Sequence, residues 1–228
     1  MKDILMQVFD YGREMLKWIA IITMTIDHIG AVLYPEYEVL RWVGRLAFPL
    51  FAYILVLGME STRNITKYFV RLFAFALISQ IPFFLATDKE PFDLLNIFFT
   101  LAFGLMFVYY IKKGSVIAFV PLLISFVVPF DYGVYGLAVI GCMYIITKNQ
   151  KLGALALVLL NMLFLFPLNI QILSLAVIPL VLLHQNGSLD ISRETIKEYG
   201  IPLWRKYFFY AFYPAHLTLL YIIKLLFF

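Results

Sequence analysis

Nine apolar runs follow one another along almost the whole chain, near 17–34, 43–60, 68–86, 95–111, 115–130, 133–147, 152–167, 169–184 and 207–225. Each is about 15–20 residues long, several of them at the short end of what a helical crossing of a bilayer needs. Charges, glycine and proline separate them, and these are the residues that end helices. The runs are continuous rather than alternating, which disfavours a transmembrane barrel. Only 14% of the 228 residues are charged and 63% are hydrophobic. Soluble domains carry about 25% charged residues, so there is too little polarity here to clothe a soluble surface. The chain is therefore expected to be all-α, a polytopic transmembrane helical bundle of about nine spans, with residues 1–228 forming one membrane domain in contact with lipid.

The basic residues give that bundle an orientation. With nine spans, only Arg41, Arg45, Lys89 and Lys224 fall on one side, and the other fourteen of the eighteen Lys and Arg fall on the side of the N-terminus. Loops rich in Lys and Arg stay in the cytoplasm. The N-terminus is thus expected inside and the C-terminus outside, in a bacterial cytoplasmic (inner) membrane. The net charge of +4 then records topology, and no nucleic-acid partner is expected. The leader Met1 to Glu14 is short and amphipathic, and no small-residue cleavage site follows the first run, so that run is expected to stay as a helix. Gln185 to Lys206 reads as a cytoplasmic loop with a short amphipathic helix. The single cysteine, Cys142, lies in an apolar run and reads as a buried structural thiol. No internal repeat supports an inverted-repeat transporter plan. No HExxH, CxxC, GxSxG or Walker-type pattern occurs, so metal, serine-triad and ATP chemistry have no sequence support and no metal is expected.

Chemistry is sought where the membrane should hold no polarity. Asp27 and His28 sit side by side within the first run, and an ionisable group there costs roughly 2.5–3.5 kcal/mol on insertion scales. His28 is eleven residues after Lys17, and His216 is ten after Lys206. At 1.5 Å per residue both imidazoles lie roughly 15 Å deep, at one level near the midplane. The alternative is that each histidine merely satisfies a hydrogen bond in the core. Pro214 removes the amide that would bond the carbonyl of Tyr210, which fits a cavity wall beside His216. Asp27 and His28 diverge by about 100° on a helix and are not expected to form a dyad. Asp27 is expected to pair with Arg45 across the first two helices, in a structural or a catalytic role. Arg63, Lys67 and Arg71 make a basic cytoplasmic mouth suited to a nucleotide-like phosphate, or simply carry topogenic charge. Gln80, Asn96, Thr100 and Asn161 are polar residues that a neighbouring helix can satisfy. His184 reads as interfacial.

Specific stretches then bring a family into view. Leu16-Lys17-Trp18-Ile19-Ala20, Ile26-Asp27-His28-Ile29-Gly30, Gly44-Arg45-Leu46-Ala47-Phe48-Pro49, Thr62-Arg63-Asn64 and Lys67-Tyr68 resemble the TraX family. So do Asn96-Ile97-Phe98-Phe99-Thr100-Leu101, Asp131-Tyr132-Gly133 and Phe209 through Leu217. The resemblance covers most of the chain, with the specific motifs in its first hundred and last twenty residues. The pattern has an acidic residue before Ile81-Pro82, where this chain has Gln80. The family's name-giving member is associated with acetylation of conjugative pilin, and the family is distantly similar to multi-span acyltransferases. The resemblance implies transfer of an acyl group, acetyl first of all, from acetyl-CoA to an amine or hydroxyl of an envelope protein or polymer.

On that expectation the phosphates of acetyl-CoA meet Arg63, Lys67 and Arg71. His28 takes the acceptor's proton, and His216 orients the acceptor or protonates the leaving thiolate. Arg45 or Asn96 steadies the oxyanion. Two other classes compete: a proton-coupled transporter or exporter using Asp27 and His28 as a relay, and a non-catalytic envelope assembly factor.

Overall fold

The computed structural model describes residues 10–163, 170–189 and 203–227. The leader ahead of Asp10, Pro167 between the seventh and eighth runs, and residues 190–202 of the loop expected over Gln185 to Lys206 lie outside the described residues. The described chain is helical throughout, with α1 (Tyr11–Val32), α2 (Glu38–Gly44), α3 (Ala47–Ser61), α4 (Ile65–Thr87) and α5 (Ile97–Lys112) in its first half. Then come α6 (Phe119–Val127), α7 (Gly133–Lys148), α8 (Gln150–Leu163), α9 (Val177–Gln185) and α10 (Leu203–Phe227). Single 3-10 segments, Val116–Ala118 and Ile170–Ala176, lead into α6 and α9.

Local chemistry sets the boundaries. Asp10, Asn64 and Asn96 each cap a helix by accepting a backbone N–H, from Arg13 (2.7 Å), Lys67 (2.8 Å) and Phe98 (3.0 Å) respectively. The second expected run, 43–60, begins earlier than its apolar residues do and is broken in two. Pro49 has no N–H to offer the carbonyl of Arg45. There the bonding tightens to i→i−3, from Arg45 to Trp42 (3.2 Å) and from Leu46 to Val43 (3.3 Å). Arg45 therefore sits at an interruption rather than inside a helix.

Nine apolar helices among the described residues answer to the nine expected runs, counting α2 with α3 and each 3-10 lead with its helix. Four are long and apolar enough to cross a membrane: Tyr11–Val32, Glu38–Ser61, Ile65–Thr87 and Tyr207–Phe227. The other five have only 10–17 residues, at most about 26 Å at 1.5 Å per residue. The expectation of about nine spans, several of them short, is met by four helices of full length and five shorter ones among the described residues.

The surface is that of a membrane protein. Val70, Leu77, Ile78 and Ile81 on α4 are 56–61% exposed, while Ser79, Asn96, Thr100 and Asn161 are buried to within 3%. Apolar side chains outside and polar ones inside invert the soluble pattern; Asn96, Thr100 and Asn161 are hydrogen-bonded, while the Ser79 hydroxyl has no partner among the described residues. The core runs along α3, through Leu50, Tyr53 and Val56, to Leu105 of α5 and Ile140 and Met143 of α7. Cys142 is buried there as a free thiol.

Side-chain contacts sort the helix ends into two groups. Glu60 receives Lys112 (2.7 Å) and Lys148 (3.2 Å), and His184 meets Asp10 (3.2 Å) and Tyr53 (2.9 Å) at that same end. Burial pushes the Asp10 carboxyl up, but the hydrogen bonds from His184 and the Arg13 amide outweigh it and hold the group below its usual range. At the other end Asp88 pairs with Lys224.

Candidate functional site

α1 and α2 approach closely because glycines face the crossing. A Cβ on Gly44 would run into the side chain of Asp27, and one on Gly30 would stand 2.6 Å from Cβ of Leu40. This proximity delivers two guanidinium groups to one carboxylate. Arg45 Nη2 donates to Asp27 Oδ1 (3.1 Å), as the sequence leads one to expect. Arg41 Nη1 adds a second pair, to Oδ2 (2.6 Å), and also donates to the Asp27 carbonyl (3.0 Å). The Asp27 and Arg45 side chains are 13% exposed and that of Arg41 is 32%. Arg45 spends its remaining nitrogens on the Arg41 carbonyl (3.2 Å) and Gln171 Oε1 (3.2 Å).

The matched depths of His28 and His216 become contact. Nδ1 of His28 lies 2.6 Å from Nε2 of His216, and Nδ1 of His216 lies 2.9 Å from the Phe212 carbonyl oxygen. A carbonyl only accepts, so Nδ1 of His216 carries a hydrogen. In a neutral His216 the other nitrogen, Nε2, then accepts, and Nδ1 of His28 must donate to it. That leaves Nε2 of His28 with the lone pair. The two rings lie within 13° of parallel, and Tyr213 packs edge-on against both.

A cavity of about 520 Å³ opens beside them, walled by Asp27, His28, Arg41, Arg45, Asp131, Tyr132 and Gln171, with Thr87 and Lys89 at the exposed end of α4. A smaller one, about 50 Å³, continues inward past Asp27, His28, Asp131, Tyr132 and Tyr213. Asp27 and His28 form no mutual hydrogen bond, yet both line the two cavities. His216 lines neither and stands behind His28.

Asp131 and Tyr132 are site residues that reasoning from apolar runs passes over. They belong to the connection between α6 and α7, which is fixed by pairing with a second connection. Leu95 donates to the Pro129 carbonyl (2.8 Å), Asp131 donates to the Leu95 carbonyl (2.8 Å), and Thr100 reaches the Asp131 carbonyl. Burial pushes the Asp131 carboxyl up to about 6, against the pull of Arg45. Tyr132 adopts a left-handed backbone, φ 66°, and stacks on Phe48 at 4.3 Å. A non-glycine residue held there costs of order 1–3 kcal/mol, and such strain gathers at functional sites. The Asp131-Tyr132-Gly133 triplet was the available signal.

The remaining site expectations distribute differently. Arg63, Lys67 and Arg71 line neither cavity, and Arg63 and Lys67 are exposed. Arg71 turns inward, its guanidinium 5.2 Å from the Tyr68 ring and 5.1 Å from that of Tyr210. Arg13 approaches the same two tyrosines, and the Nε atoms of both arginines are buried without a hydrogen-bond partner among the described residues. Asn96 is fully buried. Besides capping α5, its amide donates to the Ala76 carbonyl (2.7 Å) and to Gln80 Oε1 (2.8 Å), which places it in the scaffold. Gln80 in turn donates to the carbonyls of Pro91 and Leu94, both at 2.9 Å. An ionised carboxylate could not make those two bonds.

A bilayer-type helical bundle, with a histidine pair behind a cavity and an aspartate shared by two arginines, is the class that fold and site define. The chain belongs to the TraX family: the family model described as TraX protein matches residues 12–224. It is 31% identical to the probable fimbrial assembly protein FimC of Dichelobacter nodosus, over 92% of this chain and 95% of that protein. An uncharacterized protein of Rickettsia prowazekii is 30% identical over 45% of this chain and 38% of its own length. Protein TraX of Escherichia coli is 32% identical over 32% of this chain and 30% of its own length. No solved structure matches the chain.

Proposed function

We propose that the protein is a membrane-embedded acyltransferase that moves an acetyl group from cytoplasmic acetyl-CoA to an amine or hydroxyl of an envelope protein or polymer. The observation that carries this reading is the 2.6 Å contact of His28 with His216, which leaves the other ring nitrogen of His28, a residue of the cavity wall, as a base. Nε2 of His28 takes the acceptor's proton as its O or N bonds to the thioester carbonyl carbon. The carbonyl oxygen gains the negative charge on the side of Arg45, whose fixed positive charge is worth most where water is scarce. When the C–S bond breaks, the thiolate leaves with the proton held by His28. His216 acts through His28 and is a positioning residue.

The orientation follows from the charge count. The end holding Lys112 and Lys148 is read as cytoplasmic, in the bacterial inner membrane, and the cavity mouth at Lys89 as external. The donor's phosphates then meet cations at the cytoplasmic end, the exposed Arg63 and Lys67, with Arg71 one turn further along α4. The name of the Dichelobacter relative supports a fimbrial protein as one acceptor. The test is transfer of label from acetyl-CoA by reconstituted protein. His28→Ala is expected to lower the rate by about 10²-fold or more. Equal transfer by the variant and the parent overturns the reading.

A further inference from the structure

The large cavity carries more positive charge than its own acids neutralise. Asp27 supplies one negative charge and is shared by two guanidinium groups, so that cluster keeps a surplus of one. Lys89, exposed at the end of α4, adds another cation to the wall, and Asp131 is the only other acid among the residues that line it. Even with Asp131 ionised the wall is left one charge positive, and with Asp131 protonated it is two charges positive.

Donor capacity is also uneven. Arg45 is 13% exposed, and all three of its nitrogens are engaged, by Arg41, Gln171 and Asp27. Arg41 is 32% exposed and makes both of its side-chain hydrogen bonds through Nη1. Its Nε and Nη2 have no hydrogen-bond partner among the described residues. A guanidinium edge of this kind, with an ammonium beside it, is the usual complement of a carboxylate or phosphate. The cavity, at about 520 Å³, has room for a small polar molecule or the end of a larger one. His28 lines the same space.

We propose that the mouth of this cavity, formed by Arg41 and Lys89, is a subsite for an anionic group, a carboxylate or a phosphate monoester, carried by the acceptor close to its nucleophile. The proposal rests on the acyltransferase reading for the word acceptor, but the anion site itself does not depend on transfer. The donor's phosphates are the other source of such an anion. The acceptor is favoured because Lys89 follows the end of α4 opposite to the one that carries Arg63 and Lys67, the cations read for the donor. An anion held at the mouth keeps the attached hydroxyl or amine on the His28 side, and the positive wall draws such acceptors in.

The experiment is equilibrium binding to purified full-length protein in neutral detergent, with glycerol phosphate, an N-acetylated amino acid and neutral glycerol as probes. Both anions are expected to bind and glycerol is not. Lys89→Glu is expected to weaken anion binding about tenfold, while Lys113→Glu at the opposite end leaves it within about twofold. Equal binding by the Lys89→Glu variant, or binding of glycerol as tight as that of the anions, overturns the subsite. Competition by coenzyme A that the Lys89→Glu change abolishes assigns the anion to the donor and overturns the acceptor assignment. So does loss of probe binding in bilayers of anionic lipid but not of zwitterionic lipid, which assigns it to a headgroup. Anion binding without any acetyl transfer leaves the subsite standing and sinks the acyltransferase reading instead. Transfer with no preference for anionic acceptors sinks the acceptor subsite alone.

Discussion

His28 lines the cavities and His216 does not, yet the two imidazoles meet, Nδ1 to Nε2 at 2.6 Å. The Phe212 carbonyl fixes the hydrogen on His216, and that in turn fixes which nitrogen of His28 is basic. Removal of His216 should therefore act on rate rather than on binding. His216→Ala is expected to lower kcat about 10–100-fold with little change in KM. His216→Gln, whose amide oxygen accepts from Nδ1 of His28, should recover part of that loss. Steady-state transfer kinetics on the two variants decide the matter. A rise in KM with kcat unchanged would place His216 in acceptor binding instead.

Asp27 is the partner of two cations, and its loss leaves both unneutralised in a mostly buried place. Asp27→Ala is expected to destabilise by about 2–3 kcal/mol, less than a fully buried pair because Arg41 is a third exposed. Thermal unfolding in detergent measures this. A double-mutant cycle with Arg45→Ala should recover part of the cost, since the second change removes one stranded charge. Strict additivity of the two changes would deny the coupling.

Gly44 gives Asp27 its room. Gly44→Ala is expected to cost about 1–3 kcal/mol by overpacking and to lower transfer activity as α2 is pushed away. A stable, fully active Gly44→Ala protein would show that the two helices do not need so close an approach.

Asp131 predicts a pH dependence of a definite sign. Its carboxyl is raised from 3.8 to about 6, chiefly by burial, so protonation favours the folded state. Its contribution to stability is fully present below pH 3.8 and is lost as pH rises through about 6. The neutral isostere removes that loss: Asp131→Asn is expected to exceed the parent by about 1–2 kcal/mol at pH 7, the full shift being discounted because the residue borders an open cavity. The gap should close between pH 6 and pH 4. Denaturation midpoints of both proteins across this window test it, and a gap independent of pH would exclude titration of Asp131 as the cause.

Sidedness can be read from chemical labelling, because Cys142 is buried and the background is low. Cysteine placed at Lys113 is expected to react with an impermeant thiol reagent only after the membrane is opened. Cysteine placed at Glu90 should react in intact cells. The reverse pattern would invert the orientation derived from charge.

The helical runs and the histidine pair are legible in the sequence because both depend on distance along a single helix. Each histidine can be counted inward from a lysine at the membrane edge, Lys17 or Lys206, and α1 and α10 preserve the count. Asp27 with Arg45 is legible for a similar reason, since the two helices are neighbours in sequence. Arg41, Asp131 and Tyr132 are harder. Arg41 comes into play only because Gly30 and Gly44 let α2 lie against α1. Asp131 and Tyr132 are placed by the bonding of Leu95 to the segment around Phe130, two connections more than thirty residues apart in sequence. Asn96 shows the opposite difficulty. A polar residue in an apolar run attracts a functional reading, and here it closes the start of α5.

Adjacent residues on one helix, about 100° apart in azimuth, bind to different neighbours here: Asp27 to the arginines around α2, His28 to α10. Two tethers in different directions oppose rolling of the helix about its own axis, a motion that a cylinder in a lipid sheet otherwise has. The aspartate thereby sets the direction in which its neighbour's imidazole points, although the two side chains never touch.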